Sequence, residues 1–432
     1  MKVVQVNAAD LVGRRFNGYD LHPYLAERGV ESRHLVWRRA SAEPFVEKLF
    51  DIKGRDHVTR LIQRAEARRS LHSTLHLHSF ALPLVKTYRQ ADLAHHHIVH
   101  DGYFSMDALP WLARRKPTVW TWHDPWAMTG HCIYPMECGR WETGCGACPD
   151  LKAPFPMRED RTAQQIAWKR KLYAELDADI ILASRWMMDM ARRSPITAGL
   201  RFHHIPFGID LDKFRPRDVD AARDRLGILP GSLVICLRAF NSPYKGLPHF
   251  MAALKKLRVQ QPLCLITFHE KNHFDSYIGQ HQIIDLGWTD SEQDTIDAYT
   301  ATDFFVMPST AEAFGMMAIE AMACGKPVIC FEGTSLPEVV FAPESGLAVP
   351  MGDVDALAEA MNRWIADEGE RRRRGERARE IAERHYDIRL QADRVAALYA
   401  AVLERHRRGD KSGDVARGQD AEQGAGRTGL QN

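Results

Sequence analysis

Two glutamates eight residues apart flank a turn whose residue types suit the binding of a phosphate group. The segment DFFVM predicts a buried strand, PSTAEAFG a loop, and Met316 to Ala323 a helix that Gly325 and Pro327 end. Gly315 therefore lies at a helix N-terminus, where free N–H groups and the positive end of the dipole favour an anion. A glycine at this place lets the backbone approach the anion closely.

The residues around this turn predict a receptor for a nucleoside diphosphate sugar. Glu312, in the loop, is placed to accept hydrogen bonds from sugar hydroxyls, and Glu320, in the helix, from the two hydroxyls of a ribose. Phe314, Gly315 and Met316 complete the predicted donor-binding turn. On spacing alone, a solvated glutamate pair beside an ordinary strand–helix turn is an equally good interpretation.

The elements that would position these residues alternate between short apolar strands and longer helical patterns. The strand-like runs are VVQV, HLVW, HLHSF, LAHHHIV, TVWTW and DIILAS, and after residues 205–208 they are SLVICLRAF, LCLITF, IIDLG, DFFVMPS, KPVICF and GLAVP. This rhythm predicts an α/β protein with two successive doubly wound parallel-sheet domains that meet near residues 200–215 and face a cleft. One long helical stretch is expected from Arg371 to about Arg405.

Composition limits the function classes. The chain has 432 residues, of which 45% are hydrophobic and 26% charged, with a net charge of +2, so it is globular and not a polycation that would attract nucleic acid. Residues 1–200 carry +7 and the remainder −5, which suggests domains with different partners. No apolar run is long enough to span a bilayer, and the start lacks an export signal, so we expect a cytoplasmic protein.

Four segments in order resemble the GT-B glycosyltransferases of family 4 (glycosyl transferases group 1), of the bacterial polysaccharide-biosynthesis type. EAFGMMAIE at 312–320 resembles the E-x7-E motif, FGIDLDKFRP at 207–216 the domain junction, GTSLPE at 333–338 the following loop, and HYDIRLQADRVAALY at 385–399 the last helix. The resemblance implies two Rossmann-like domains with a C-terminal crossover helix. Their bounds are 1–205 for the acceptor domain, 206–384 for the donor domain, 385–408 for the returning helix and 409–432 for a disordered tail.

The resemblance also implies the chemistry, which is retaining transfer of a sugar from a UDP- or GDP-sugar to a hydroxyl (EC 2.4). No cofactor is required for catalysis. An arginine and a lysine in the first loop of the second domain would stabilise the diphosphate, and Arg238 and Lys245 are the matching positions in CLRAFNSPYKGLPHF. Two solvated loop cations are the plain alternative. The family's Gly-rich turn after the first strand has two candidate counterparts here, Gly13 and Gly18, of which Gly13 is the better match.

Histidines mark the expected acceptor side. His123 and Asp124 follow the strand TVWTW and resemble the family's His-Asp pair, in which the histidine contacts the transferred sugar or the acceptor. In the run 95–97 only His95 and His97 share a strand face, so we interpret the run as a strand end lining the cleft and not as a metal site. Ser184, at another strand–helix junction, is either an acceptor-side residue or a simple N-cap.

Four cysteines cluster in an insert at 131–150 directly after His123. Cys132, Cys138, Cys145 and Cys148 include one C-x2-C pair and could hold a structural zinc ion, with His131 as a spare ligand. Reduced cysteines that pack a loop, or disulfides in an oxidising compartment, are the alternatives. Four protein ligands would leave no open position for catalysis.

A basic amphipathic segment suggests a membrane surface as partner. Residues 55–71 place Val58, Leu61, Ile62 and Ala65 at helical spacing among five arginines, which suits an anionic lipid surface or an ordinary helix docked on the sheet. Because family acceptors are often lipid-linked saccharides, peripheral association with the cytoplasmic membrane is expected.

Rival functions need motifs that the sequence does not present. A nucleotide-sugar epimerase or a sugar phosphorylase on the same fold would need a proton-abstracting group at the sugar or a lysine for pyridoxal phosphate. A zinc-stabilised module that binds nucleic acid or protein is a rival of another class, and the near-neutral charge argues against nucleic acid as a partner.

Overall fold

A computed structural model describes residues 1–152, 154–289 and 291–409, and the chain divides into two compact units. Unit 1 comprises Met1–Ala183, Met187–Ile205 and the chain from Ala392 onwards, and unit 2 comprises Ser184–Trp186 and Pro206–Gln391. Except for Gly409, the tail expected at 409–432 lies outside the described residues. In the part of the chain that the structure covers, no helix combines the length and apolarity needed to cross a membrane.

Unit 1 is built on a seven-stranded sheet in which all pairings are parallel, in the order β3-β2-β1-β4-β5-β6-β7. Its strands are β1 Lys2–Ala9, β2 Glu31–Arg38, β3 Val46–Lys48, β4 Leu93–His96, β5 Thr118–Trp122, β6 Asp179–Leu182 and β7 Arg201–His204. Its α-helices are α1 His22–Ala26, α2 Arg55–Arg68, α3 Lys86–Gln90, α4 Ala108–Ala113, α5 Thr162–Ala174 and α6 Arg185–Arg193. The first two residues of α6 belong to unit 2, and the helix belongs to unit 1 from Met187. Short 3-10 helices span Leu77–Leu84, Pro125–Met128 and Arg140–Glu142.

Unit 2 repeats this plan with six parallel strands in the order β10-β9-β8-β11-β12-β13. Its strands are β8 Leu233–Ala239, β9 Leu263–His269, β10 Gln282–Gly287, β11 Phe304–Met307, β12 Val328–Phe331 and β13 Leu347–Val349. Its α-helices are α7 Val219–Arg225, α8 Leu247–Leu254, α9 Glu292–Ala301, α10 Met316–Ala323, α11 Leu336–Val339, α12 Val354–Ala366 and α13 Glu368–His385, with a 3-10 helix at Asp275–Tyr277. The last helix, α14 Ile388–Arg408, begins in unit 2 and belongs to unit 1 from Ala392.

The central strands are buried on both faces, which explains their continuous apolar sequences. Every residue of β11 and β12 is buried, as are six of the seven residues of β8. Polar N-caps begin the covering helices of unit 2, where the side chains of Ser291 and Asp353 accept backbone N–H groups of α9 and α12. The predicted α/β class with two doubly wound parallel sheets is confirmed.

One local prediction was wrong. The apolar run HLHSF does not form a strand, because residues Leu77–Leu84 turn into a 3-10 helix that includes Pro83. The long helical stretch expected from Arg371 to about Arg405 is formed by two helices, since the chain breaks at Tyr386 and Asp387, where Asp387 pairs with Ile209 in an isolated bridge.

Candidate active site

The strand order of unit 2 reverses between β8 and β11, and the loops after these two strands carry a largely shielded ion pair. Nζ of Lys245, in the loop after β8, lies 2.8 Å from Oε2 of Glu312, in the loop after β11. Their side chains are only 13% and 14% exposed. Because ligands of doubly wound sheets bind at the carboxyl ends of strands at such a reversal, the pair occupies the expected position for a ligand site.

Gly315 opens α10 beside this pair, as the sequence predicted. Its φ of +105° is a conformation that residues with a side chain rarely adopt, and an added Cβ would lie 2.5 Å from Cδ2 of Leu336. Phe314 and Met316 flank it in the chain. The N–H groups of the first turn of α10 therefore begin next to Lys245 and Glu312, which is a suitable environment for phosphate oxygens.

Two serine hydroxyls hold the Glu312 loop in shape, and of these the sequence indicated Ser184 but not Ser335. Ser335, which is buried, donates from Oγ to the carbonyls of Glu312 at 3.0 Å and of Phe314 at 3.1 Å. Ser184 Oγ donates to the Ala313 carbonyl at 2.7 Å, so its hydroxyl supports this loop. These contacts connect segments far apart in sequence, and no local motif indicates them.

Glu320 lies deeper than Glu312. Its carboxylate is buried, and its Oε2 accepts a hydrogen bond of 2.9 Å from the Tyr299 hydroxyl on α9. The phenol fixes the orientation of the carboxylate, which is the usual way in which a buried acid is kept satisfied. Neither glutamate lies on the outer surface of unit 2.

Positive charge accumulates at the carboxyl ends of β8 and β9. The guanidinium carbon of Arg238 lies 5.1 Å from the centroid of the Phe240 ring. Burial, together with the charges of Arg238 and Lys245, lowers the pKa of His269 to about 3. His269 is therefore a neutral ring at ordinary pH, and the two cations are the residues that favour an anion there.

The strand order of unit 1 reverses between β1 and β4, and the candidate histidines lie at this point. Nδ1 of His97, just after β4, lies 3.1 Å from Nε2 of His123, just after β5. Nε2 of His97 is 2.7 Å from Oε1 of Gln5 on β1. Since an amide oxygen only accepts, His97 carries its proton on Nε2 and accepts at Nδ1 from the Nε2–H of His123.

A second hydrogen-bonded line runs beside the first. Nδ1 of His95 is 2.6 Å from the Tyr399 hydroxyl on α14, and its Nε2 is 2.7 Å from Oγ1 of Thr121. The rings of His95 and His97 are 4.1 Å apart, whereas His96 faces the other way and contacts Phe104. His95 and His97 therefore belong to hydrogen-bonded side-chain networks. Throughout residues 1–152, 154–289 and 291–409, no group of three or more His, Cys, Asp or Glu side chains is arranged to hold a metal ion.

Asp124 and the Gly13 turn border His123. Asp124 accepts from the backbone N–H of Trp126 at 2.9 Å and lies 3.0 Å from Nε2 of His100. Burial would raise the pKa of Asp124, but His100 and the Trp126 hydrogen bond outweigh it and lower the pKa. Gly13 has a φ of +74°, and the turn that it begins places the Phe16 ring 5.1 Å from the His123 ring.

The buried histidines predict acid-sensitive stability. Burial lowers the pKa of His34, His96 and His123 to about 3, and it lowers the pKa of His95 and of His97 well below the ordinary histidine value. The unfolded chain therefore binds more protons below the ordinary histidine pKa, and the free energy of unfolding falls as the pH falls. At one pH unit below the pKa that a histidine has in the unfolded chain, each such buried histidine lowers the free energy of unfolding by about 1.4 kcal/mol. We expect a clearly lower midpoint of thermal unfolding at about pH 5.5 than at about pH 7.5.

Two variants test this assignment. His96→Leu removes one histidine that binds a proton only in the unfolded chain, so it should narrow the difference between the unfolding midpoints at about pH 5.5 and about pH 7.5. His57→Gln, at an exposed histidine, should leave that difference unchanged. An equal gap in His96→Leu and the wild type would contradict the assignment.

The structure does not assemble the predicted zinc site from Cys132, Cys138, Cys145 and Cys148. All four are free thiols, and burial raises the pKa of Cys132 to about 11. Lys169 contacts the segment just before the insert, with its ammonium 2.6 Å from the Trp126 carbonyl and 2.9 Å from the Thr129 carbonyl. Burial lowers the pKa of Lys169 to about 7, and hydrogen bonds to backbone carbonyls satisfy the group.

Comparison with known proteins agrees with this architecture. Residues 19–213 match the family described as Glycosyltransferase Family 4, and residues 218–381 match Glycosyl transferases group 1. The chain is 26% identical over 349 residues to a D-inositol 3-phosphate glycosyltransferase of Mycobacterium marinum, which covers 78% of this chain and 70% of that protein. It is 26% identical over 262 residues to the putative colanic acid biosynthesis glycosyl transferase WcaC of Escherichia coli, covering 57% of this chain and 61% of that protein.

A solved structure shares the fold. Anabaena Alr3699/HepE in complex with UDP and glucose aligns with a TM-score of 0.59 at 17% identity, covering 92% of this chain and 99% of that one. The two sheets, the paired family matches and the shared fold lead to one assignment. The chain belongs to the GT-B glycosyltransferases of family 4.

Proposed function

We propose that this glycosyltransferase takes its sugar from a UDP- or GDP-sugar and retains the anomeric configuration of the donor. The observation that carries the proposal is the Lys245–Glu312 pair next to the N-terminus of α10, at the strand-order reversal of unit 2. A cation, free N–H groups and a carboxylate side by side suit a diphosphate joined to a hydroxyl-rich sugar.

Each residue of unit 2 then has a role in holding the donor. Lys245, Arg238 and the N–H groups that follow Gly315 bind the diphosphate, Glu312 binds hydroxyls of the transferred sugar, and Glu320 binds the ribose. The UDP and glucose bound to the Anabaena structure support this class of donor, since that protein shares the fold. No step requires a cofactor.

The reaction is a displacement in which charge moves onto phosphate. The bond between the anomeric carbon and the phosphate oxygen breaks, and a bond from the acceptor hydroxyl oxygen to the same carbon forms on the face that the phosphate leaves, so the configuration is retained. The acceptor proton passes to the departing phosphate, so no dedicated protein base is needed. Catalysis therefore depends on orientation and on stabilisation of the leaving diphosphate by Arg238, Lys245 and the α10 amides.

Unit 1 would present the acceptor. His123 is neutral at ordinary pH because burial lowers its pKa to about 3, so it acts as a hydrogen-bonding group and not as a charge. We assign His97, His123 and Asp124 to the acceptor side, with Ser184 as a support of the Glu312 loop. A saccharide acceptor, lipid-linked and used in polysaccharide biosynthesis, is consistent with the E. coli relative, which is a putative colanic acid biosynthesis glycosyl transferase.

Helix α2 supports a membrane-bound acceptor because its apolar side chains point outward. Val58 is 55% and Leu61 49% exposed, while the polar residues Thr59 and Glu66 are the buried ones. Glu66 accepts backbone N–H groups of Thr74 and Leu75, both at 2.7 Å, so the helix is attached by its polar side. Exposed arginines surround the apolar residues at positions 60, 64, 68 and 69. We infer that this face contacts anionic lipid.

Sedimentation with vesicles tests the lipid contact. The full chain should pellet with vesicles rich in phosphatidylglycerol and remain in solution with phosphatidylcholine alone, and binding should fall as salt is raised. Leu61→Asp should abolish most of the binding, whereas Leu84→Asp, at an exposed leucine elsewhere in unit 1, should not. Equal loss in both variants, or equal binding to neutral vesicles, would contradict the inference.

Donor hydrolysis tests the proposed function itself. Purified protein should hydrolyse one or a few members of a panel of UDP- and GDP-sugars slowly, and faster when a saccharide acceptor is added. The anomeric configuration of the first product, followed by NMR, should match that of the donor. Inversion would contradict the retaining mechanism, and an inert panel would contradict the donor class.

A further inference from the structure

A fully buried lysine in unit 1 contacts the turn that follows the candidate acceptor residues. Lys169, on α5, donates from its ammonium to the Trp126 carbonyl at 2.6 Å and to the Thr129 carbonyl at 2.9 Å. The first carbonyl belongs to the 3-10 helix Pro125–Met128, and the second belongs to the residue that ends it. Because lysine is almost never fully buried unless it is paired, a buried ammonium at this place needs a specific reason.

The ammonium also contacts an aromatic face. Nζ of Lys169 lies 3.5 Å from the centroid of the Trp126 ring, which is a cation–π contact in a site that is shielded from water. The same indole stacks on the His100 ring, with the ring centroids 4.8 Å apart and an interplanar angle of 18°. Lys169 therefore holds both the backbone and the side chain of Trp126.

Trp126 in turn holds the carboxylate of Asp124. The backbone N–H of Trp126 donates to Oδ1 of Asp124 at 2.9 Å, and Nε2 of His100 lies 3.0 Å from Oδ2. Asp124 directly follows His123 in the chain. Asp124, His100 and Trp126 thus form a closed group, and Lys169 supports that group from a position 43 residues away from Trp126 in the sequence.

We propose that Lys169 is a positioning residue for the acceptor site, and that its positive charge holds His123 and Asp124 in the geometry that the acceptor needs. The proposal rests on the proposed function, which assigns these two residues to the acceptor side, and it adds the residue that orients them. A neutral amine would keep N–H groups for the two carbonyls, but it would lose the attraction to the indole face of Trp126. The charge is therefore needed in addition to the hydrogen bonds.

The charge of Lys169 changes within the ordinary pH range. Burial lowers its pKa to about 7, so the ammonium loses its proton as the pH rises through that value. The titratable side chains whose charges act on it keep their state near this pH, and they are Asp124, His72, Cys132 and Cys145. Burial lowers the pKa of His72 to about 4 and raises the pKa of both thiols. The pKa of Asp124 is lowered in spite of burial, because its hydrogen bonds favour the carboxylate.

Sugar transfer from the preferred donor to a panel of octyl glycosides, measured from about pH 6 to about pH 9, tests the role of this charge. In the wild type, KM for the best glycoside should rise about tenfold as Lys169 loses its proton. Lys169→Met should show the high KM at every pH, whereas Lys169→Arg, which stays charged, should keep the low KM at about pH 9. Donor hydrolysis without a glycoside should be the same in all three proteins.

A matched variant and a measurement without any acceptor complete the design. Lys171→Met makes the same substitution at an exposed lysine of α5 and should behave like the wild type. Hydrogen exchange of the Trp126 N–H, which donates to Asp124, should be about tenfold faster in Lys169→Met than in Lys171→Met at the same pH. His100 is present in every variant, so any pH dependence that it causes would persist in Lys169→Met. If Lys169→Met does not fold, the comparison of the wild type with Lys169→Arg at about pH 9 decides.

The outcomes separate this inference from the proposed function. A wild-type KM that does not rise with pH, or an equal rise in Lys169→Met, would overturn the positioning role and leave the proposed function intact. Equal Trp126 N–H exchange in the two Met variants would also overturn it, as would a matching loss of donor hydrolysis in Lys169→Met. A wild-type protein that hydrolyses no UDP- or GDP-sugar would overturn the proposed function and the positioning role together.

Discussion

Glu312→Gln is expected to lower kcat for sugar transfer about a hundredfold to a thousandfold, which is the effect of removing one preorganised group from a reacting centre. The carboxylate is 2.8 Å from Nζ of Lys245 and mostly shielded from water, so its loss removes a contact to the sugar and leaves the lysine without its acid partner. Steady-state kinetics with the preferred donor measures the change, and thermal unfolding shows whether the variant is folded.

A double-mutant cycle makes the test specific to the pair. Because Lys245 and Glu312 contact each other, the fold loss of kcat in the double variant Lys245→Met, Glu312→Gln should be smaller than the product of the fold losses in the two single variants. Glu359→Ala, which breaks an exposed ion pair with Arg258, should leave kcat unchanged. Fully independent effects of Lys245 and Glu312, or a Glu312→Gln enzyme as fast as the wild type, would contradict the assigned site.

Gly246→Ala should destabilise the protein by about 3 kcal/mol or more and abolish transfer. Gly246 follows Lys245 and precedes α8, with a φ of +64°, and an added Cβ would lie 1.7 Å from the Pro308 carbonyl oxygen. Since that oxygen belongs to the backbone just after β11, either the Lys245 loop or the Glu312 loop must move. Chemical unfolding of the full chain measures the stability, and kcat measures the displacement of Lys245.

Gly227→Ala distinguishes backbone strain from a steric clash of the added Cβ. Gly227 is also in unit 2 and has nearly the same φ, +66°, but an added Cβ would meet no atom within 4 Å. It should cost only the left-handed backbone penalty of about 1–2 kcal/mol and leave kcat unchanged. If Gly246→Ala and Gly227→Ala lost similar amounts of stability and of kcat, the close approach of Gly246 to Pro308 would have no part in positioning the two loops.

Local sequence predicted the unit 2 site because its motif is continuous. The strand, the glycine turn and α10 lie within residues 304–323, and the periodicity and turn chemistry of that stretch determine the position of Gly315 between two acids. Lys245 and Glu312 were each identified, but their contact depends on β8 and β11 being neighbours, which no local pattern shows.

The supporting residues could not be predicted because they meet only in the folded chain. Gln5, on β1, reaches His97 across 92 positions, and Tyr399 reaches His95 across 304. Short apolar runs were also ambiguous, since HLHSF has the composition of a strand and nevertheless forms a 3-10 helix. The four clustered cysteines have the residue types of a zinc site, yet among the described residues no group of three or more such side chains is arranged to hold a metal ion.

A crystal structure of the full chain with the nucleoside diphosphate of its preferred donor would locate the donor site. We expect phosphate oxygens within hydrogen-bond distance of the amides that follow Gly315 and of Lys245 Nζ, with the ribose at Glu320. A nucleotide bound away from the α10 N-terminus, with the Lys245–Glu312 pair untouched, would contradict it.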